Sequence, residues 1–326
     1  MENVAIIGCG AIASTHIHAI LYNNKKIVGI CDVLEDKAIT LKNDFQLDAK
    51  VYTNYIDMLN NLSIDVVHIC TPHYLHKEMV VEALKRNINV LCEKPLCISL
   101  EEMDEIKQQL NNTAAQLGVC YQNRYNDTTI KAKEFCEKYH FNKGSAYLEW
   151  NRSGDYYLKS LWRGKWATEG GSLLINQSIH TIDLMCYLLG VPTELTATCR
   201  NFKHQGIIET EDTAKIHFEG MNIEFDFVGT TTADKDYPNI IELYNDNNEL
   251  IITPNSISFD GKSDIHLMDE IHFAKTVWGD GHKKLVKDFY ECIESSKPFS
   301  IGFEEAIISL KAVLAAYRSD GNKIKI

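Results

Sequence analysis

Gly8 and Gly10 follow the apolar run Val4 to Ile7, and Asp32 comes 24 residues after Gly8. Two glycines at that spacing allow a tight turn and let backbone amides approach phosphate oxygens that a side chain would block. Ala11 and Ile12 complete the turn, and Ala13 takes the third small position, where a helix must pack closely on the preceding strand. A helix opening there presents unpaired amides and its positive dipole end to an anion. An acid closing the second strand can accept hydrogen bonds from ribose hydroxyls. Strand, turn, helix, strand and acid in this order read as a dinucleotide grip; the alternative is a tight structural turn in some other α/β protein.

The surrounding elements are those needed to hold such a grip. Residues 34–45 read as a helix, DVVHIC (65–70) as a buried strand, 75–86 as a helix, INVLC (88–92) as a strand and 100–110 as a helix. This alternation predicts a doubly wound parallel sheet, which binds ligands at the carboxyl ends of its strands. Thr71 and Pro72 follow one strand; Glu93, Lys94 and Pro95 follow the next. The first domain is expected to span 1–121.

The remaining residues, 122–326, have a different pattern. A helix is expected over 124–138, then a strand in GSAYLEWNR and an aromatic, basic loop, DYYLKSLWRGKW. Gly170 and Gly171 introduce one long helix from Ser172 to Leu189, which Gly190 closes. The alternating segments ELTATCR, TAKIHFE, NIEFDFVG, IIELYN and ELIIT predict a large, mostly antiparallel open sheet. One face would pack on helices and the other on a partner subunit, making a homodimer or homotetramer. The stretch 261–281 shows no clear pattern, and two last helices are expected at 282–295 and 303–318. The fold class is therefore α/β, a doubly wound domain followed by an α+β domain.

A chain of 326 residues exceeds one typical domain, and its net charge of −12 with no long basic run argues against nucleic acid or an anionic membrane surface as the main partner. No signal-peptide pattern opens the sequence, and no apolar run approaches the roughly 18 residues of a membrane helix, so a cytoplasmic protein is expected. The ten cysteines form no CxxC pair. Several, including Cys9, Cys31, Cys70, Cys92 and Cys186, sit in apolar runs and read as reduced, buried residues.

GCGAIA with His16 downstream, CTPHYLH, CEKPL and EGGSLLINQSIHTIDL together resemble the glucose-fructose oxidoreductase and inositol dehydrogenase family, Gfo/Idh/MocA, over essentially the whole chain. The resemblance implies a Rossmann domain, a second domain with an open sheet, a nicotinamide cofactor, and oxidation or reduction of sugars, cyclitols and related molecules. It matches Lys94 to the family's active-site lysine and His180 to its active-site histidine. Asn176 falls where many members carry an aspartate.

Oxidising a secondary alcohol requires a hydride acceptor and a base at the hydroxyl. Histidine titrates near neutral pH and suits the second task, so His180 is a candidate base. Lys94 can stabilise a developing alkoxide, and which of the two finally takes the proton is open at this point. Asn176, at i,i+4 from His180, is expected to recognise substrate, and Asp183 is a possible partner of His180 or a structural acid. Cofactor contacts are expected from Gly8, Gly10, Ala11, Ile12, Asp32, Thr71, Pro72, His76, Glu93, Lys94, Trp162 and Arg163. Substrate contacts are expected from Lys94, Arg124, Tyr125, Asn176 and His180, with loop anchoring as the other reading of Arg124, Tyr125 and the Trp162–Arg163 pair.

No metal site is expected. His73 and His76 have HxxH spacing but no third ligand is apparent, and His16 and His18 cannot share a helix face. Asp32 suits the free ribose of NAD over NADP, and it is followed by Val33 and Leu34 rather than a cation, although Lys37 lies nearby in sequence. The reading is an NAD-dependent oxidoreductase acting on a ring carbon of a sugar, sugar derivative or cyclitol. Its alternatives are a glycosidase with transient NAD redox chemistry, or a dinucleotide-binding regulatory protein without catalysis.

Overall fold

The computed structural model describes residues 2–266 and 281–326. The chain forms two compact units, Met1–Gln122 with Asp280–Ala306, and Asn123–Gly279 with Ile307–Ile326.

The first unit alternates β1 (Asn3–Ile7), α1 (Ala13–Tyr22), β2 (Lys26–Cys31), α2 (Glu35–Asp44), β3 (Lys50–Tyr52), α3 (Tyr55–Asn61), β4 (Val66–Ile69), α4 (His76–Leu84), β5 (Asn89–Cys92), α5 (Leu100–Leu110) and β6 (Leu117–Val119). Its sheet runs β3-β2-β1-β4-β5-β6 with every pair parallel. Val4, Ala5, Ile6, Val66, Val67, Val90 and Leu91 are fully buried, as strands covered on both faces require. The order reverses between β1 and β4, so the loops after these strands flank the position where such sheets bind ligands.

The second unit contains α6 (Asp127–Tyr139), β7 (Lys143–Glu149), α7 (Gly154–Leu158), α8 (Trp166–Glu169), a π-helix over Leu173–Ser178, α9 (Ile179–Leu189), β8 (Glu194–Arg200), β9 (Thr213–Gly220), β10 (Ile223–Thr230), β11 (Ile240–Tyr244), β12 (Glu249–Ile252), β13 (Ser256–Phe259) and β14 (Lys262–His266). Then come α10 (Gly281–Glu294), α11 (Phe303–Ser319) and β15 (Lys323–Lys325). The sheet runs β14-β13-β12-β11-β7-β10-β9-β8-β15, antiparallel except for β7 with β10. Ala146, Leu148, Phe218, Phe225, Phe227 and Leu243 are buried on its inner face, alternating with outward residues such as Lys215 and Asp226.

Two features differ from the sequence reading. The continuous division 1–121 and 122–326 gives way to a chain that returns: α10 joins the first unit. The reason is local. β6 carries Gly118, where a Cβ would lie 3.0 Å from the rings of Phe289 and Phe299, and Val119 N–H bonds to Ile301 O. Those later aromatics complete the sheet's cover. Secondly, the expected single helix 172–189 is a π-helix running into an α-helix. Much of the patternless 261–281 stretch lies outside the described residues.

Candidate functional site

The glycine turn is built by two different constraints. Gly8 has φ +93°, and a Cβ there would lie 2.7 Å from the carbonyl carbon and oxygen of Cys70, so the fold itself demands glycine. Gly10 is exposed, and a Cβ there would meet nothing within 4 Å. Packing therefore places no demand on Gly10, which fits a turn left open for an external group. Behind it Ala13 is buried, and α1 begins with no side-chain cap and no acid in its first turn. Ala13 and Thr15 N–H close a tight first turn on Gly10 O and Ile12 O, and the uncapped end still turns its positive dipole toward an anion. Asp32 closes β2 half-buried, with Oδ2 accepting the Cys9 N–H at 2.8 Å and Oδ1 the Leu34 N–H at 2.9 Å. A carboxylate oxygen has a second lone pair, so Asp32 is oriented yet still able to accept from a diol. The turn residues thus fit a dinucleotide.

Thr71 and Pro72 are half-buried after β4, and Lys94 is half-buried after β5. His76 and Glu93 depart from expectation. His76 is fully buried, its ring nitrogens 2.7 Å from Pro95 O and 2.8 Å from Thr71 O. Set between two carbonyl acceptors, it bridges two strand-end loops, and as a neutral ring it donates its one N–H to one of them at a time. Burial pulls its pKa below the usual histidine value.

Glu93 likewise turns inward. Its Oε1 lies 2.9 Å from His16 Nε2 and 3.5 Å from His282 Nε2, and its Oε2 accepts the Lys94 N–H at 3.3 Å. His16 Nδ1 meets His68 Nδ1 at 2.8 Å, and His68 Nε2 meets the Tyr290 hydroxyl at 2.8 Å. Burial alone would raise the Glu93 pKa, but hydrogen bonds from His16 and His282 hold it well below the usual carboxylate value. Burial drives His68 well below the usual histidine value. One proton arrangement that satisfies this chain has Tyr290 donating to His68, His68 to His16, and His16 to Glu93. His16, Glu93 and Cys120 bring ligand-type atoms within 4.8 Å of one another, but both His16 nitrogens serve hydrogen bonds and the group reads as a polar core under Lys94. The peptide between Lys94 and Pro95 is cis.

In the second unit the two glycines before the π-helix are both structural. Gly170 ends α8 with φ +78°, and a Cβ on Gly171, at φ +144°, would lie 2.0 Å from the Tyr317 hydroxyl. That hydroxyl donates to Glu211 Oε1 at 2.9 Å, which also accepts the Leu174 N–H at 2.8 Å and the Ser172 N–H at 3.3 Å. Glu211 thereby holds the start of the π-helix, and burial pushes its carboxyl up to about 7. Between Gly171 and Cys186 only Asn176 and His180 are not buried. Asn176 lies in the π-helix and His180 in the first turn of α9, so their spacing crosses a change of helical pitch. Such π segments recur at functional sites.

Arg124 is corrected as well. It donates from Nε to Asp183 Oδ2 and from Nη2 to Oδ1, both at 2.7 Å, and stacks on Tyr187 with both partners buried. The bidentate pair anchors α9, which gives Arg124 and Asp183 a structural task. Tyr125 is half-buried beside it. Trp162 and Arg163 are half-buried, with Arg163 over the Tyr156 ring at 4.2 Å. Among the ten cysteines no disulfide is present; Cys9 is half-buried, whereas Cys31, Cys70, Cys92 and Cys186 are buried as expected.

The sequence reading missed Glu169, which hydrogen-bonds Asn176 from within the quoted EGG segment, and missed His68, His282 and Tyr290. An acid placed directly before two structural glycines was the available clue for Glu169. Nothing in the sequence pattern points to the other three, which meet only through the fold.

The fold and the glycine turn define a two-unit protein whose first unit is a dinucleotide-binding Rossmann sheet. The chain belongs to the Gfo/Idh/MocA family: residues 2–121 match the oxidoreductase family's NAD-binding Rossmann fold, and residues 143–250 match the GFO/IDH/MocA C-terminal domain. It is similar to D-glucoside 3-dehydrogenase of Escherichia coli, 27% identical over 215 residues that cover 62% of this chain and 58% of that protein. Inositol 2-dehydrogenase of Salmonella typhimurium is 26% identical over 135 residues, 40% of each chain. The chain thus spans about half the length of the curated relatives it matches. The crystal structure of the WlbA dehydrogenase from Bordetella pertussis in complex with NADH and UDP-GlcNAcA shares the fold, with a TM-score of 0.87 at 23% identity over 100% of this chain and 99% of that one. No helix among the described residues is long and apolar enough to cross a membrane.

Proposed function

We propose that the protein is an NAD-dependent dehydrogenase that oxidises a ring CH–OH of a sugar, sugar derivative or cyclitol. The observation that carries this reading is the pair Asn176 and His180, the two positions between Gly171 and Cys186 that are not buried, in a chain that also keeps the oriented Asp32 and the open turn. The names of the similar dehydrogenases support the carbohydrate or cyclitol class.

Gly8, Gly10, Ala11, Ile12 and Asp32 would hold the dinucleotide, with Thr71, Pro72, Lys94, Trp162 and Arg163 as further cofactor contacts. Bound NAD would supply the hydride acceptor. Lys94 stabilises the negative charge that grows on the substrate oxygen, and His180 takes the hydroxyl proton. Asn176 and Tyr125 bind substrate hydroxyls. Glu93, held by the histidines beneath it, fixes the backbone at Lys94 and contributes no proton. Val33 and Leu34 are exposed after Asp32 and offer no cation to a 2′-phosphate, which favours NAD.

A panel of sugars, amino sugars, uronates, nucleotide sugars and cyclitols, assayed with NAD and NADP, tests the reading. Substrate-dependent formation of reduced nicotinamide with NAD is the expected result. Binding of cofactor with no turnover across the panel would leave a regulatory protein. The outer face of the nine-stranded sheet, with Tyr147 and Tyr244 part-exposed, is the proposed surface for a homodimer or homotetramer in the cytoplasm; light scattering of the purified protein measures that state.

A further inference from the structure

Glu169 stands immediately before Gly170 and Gly171 and is completely buried. Its oxygens have separate duties: Oε2 accepts the Gly164 N–H at 2.5 Å, and Oε1 accepts from Asn176 Nδ2 at 2.5 Å. In its ionised form the Glu169 carboxylate can only accept, and the nitrogen end of the Asn176 amide is the one that faces it. The amide oxygen is thereby directed away from Glu169. Gly164 follows Trp162 and Arg163 directly, has φ +70°, and packs so that a Cβ would lie 2.3 Å from Ile208. One buried carboxylate thus fixes both the loop after Arg163 and the polarity of an accessible amide.

We propose that Glu169 is a positioning residue that sets Asn176 as a hydrogen-bond acceptor toward substrate, so that the site selects molecules offering a hydroxyl hydrogen at that point. The inference rests on the dehydrogenase reading above. The competent form is the carboxylate, because a protonated Glu169 would need an acceptor where Asn176 now donates. Burial pushes the Glu169 carboxyl up to about 7, opposed by the bonds from Gly164 and Asn176. Glu211 adds to the rise and Arg163 opposes it; the Tyr156 and Tyr157 hydroxyls also face this carboxyl.

The test compares wild type with Glu169→Gln, Asn176→Asp and the double substitution, by steady-state kinetics from about pH 6 to 8.5 and by melting temperature. Glu169→Gln must keep its amide oxygen on the Gly164 N–H, so its NH₂ faces Asn176 and reverses that amide. KM for a hydroxyl-bearing substrate is then expected to rise about tenfold or more, with a smaller change in kcat. Wild-type KM should rise as the pH falls below about 7 while the Gln variant shows no such rise. Asn176→Asp alone sets two carboxylates at hydrogen-bond distance and should lower the melting temperature. In the double substitution the Gln amide donates to the new acid, and both melting temperature and KM should return to within a few-fold or a few degrees of wild type. A folded Glu169→Gln enzyme with unchanged KM and pH profile, or a double substitution with no recovery, overturns the proposal. A wild-type protein that oxidises nothing in the panel overturns the dehydrogenase reading and this selector role together; recovery of melting temperature in the double substitution would then still record the hydrogen bond by itself.

Discussion

Asp32 Oδ2 accepts the Cys9 N–H at 2.8 Å, so the acid at the end of the second strand is tied to the glycine turn after the first. The two halves of a dinucleotide grip are therefore one hydrogen-bonded unit. Asp32→Ala is expected to raise the Kd of NAD about tenfold or more, to affect NADP less, and to cost about 1–3 kcal/mol of stability. Calorimetric titration with both cofactors checks this, and an equal loss for NAD and NADP would contradict the assignment of Asp32 to the ribose.

Gly8 and Gly10 should separate stability from binding. Gly8→Ala forces a Cβ against the Cys70 backbone at positive φ and should destabilise the fold by roughly 2–4 kcal/mol. Gly10→Ala meets no protein atom and should leave the melting temperature within a degree or two. It should nevertheless weaken cofactor binding, because the added methyl occupies space the pyrophosphate needs. An unchanged Kd in Gly10→Ala would remove the turn from the cofactor site.

Much of this architecture was legible in the sequence because its strands are continuous apolar runs and its glycines sit where strain or close approach requires them. Short edge elements were not: β3 has three residues, and α3 is a seven-residue turn begun by an Asn54 cap, too brief to show a period. The return of α10 was hidden because an amphipathic helix pattern does not say which sheet its apolar face will cover. The π-helix was hidden because its residues fit an α-helical pattern equally well. Lys94, Asn176 and His180 stand half-buried, as side chains proposed to meet ligands should, whereas His76, Glu93 and Arg124 are buried. Each of those is polar and stands beside the motifs, and only the fold revealed that its polar atoms were already used within the protein.

Asn176→Ala removes an acceptor from the substrate side without touching His180. KM should rise more than kcat falls, with cofactor Kd unchanged. A variant that loses mainly kcat would make Asn176 part of the proton-transfer machinery.

The two units should respond to pH in opposite senses. In the second, Glu169 and Glu211 have carboxyl pKa values raised by burial to about 7. Between about 4.5 and 7 the folded chain holds protons that the unfolded chain has lost, so stability falls as the pH rises through that window, on the order of 3 kcal/mol for each fully buried acid. In the first unit, burial depresses His68, His76 and His282 below 6.5. Their contribution is present above about 6.5 and lost as the pH falls, because the unfolded histidines take protons first. Hydrogen exchange at about pH 5.5 and 8, corrected for intrinsic rates, should show protection falling in the first unit and rising in the second on acidification. A shift of the same sign in both would contradict these burial effects.

Net oxidation of a carbohydrate or cyclitol with NAD as acceptor can be read from the stoichiometry of a single turnover. With excess enzyme and a substrate identified from the panel, one reduced nicotinamide is expected for each ring carbonyl formed, with the product retaining its carbon skeleton and any glycosidic bond. Lys94→Ala and His180→Ala should each suppress the reaction while still binding NAD. Cleavage of a glycosidic bond with no net reduced nicotinamide would make the protein a glycosidase, and carbonyl formation that proceeds equally well in both variants would remove Lys94 and His180 from the chemistry.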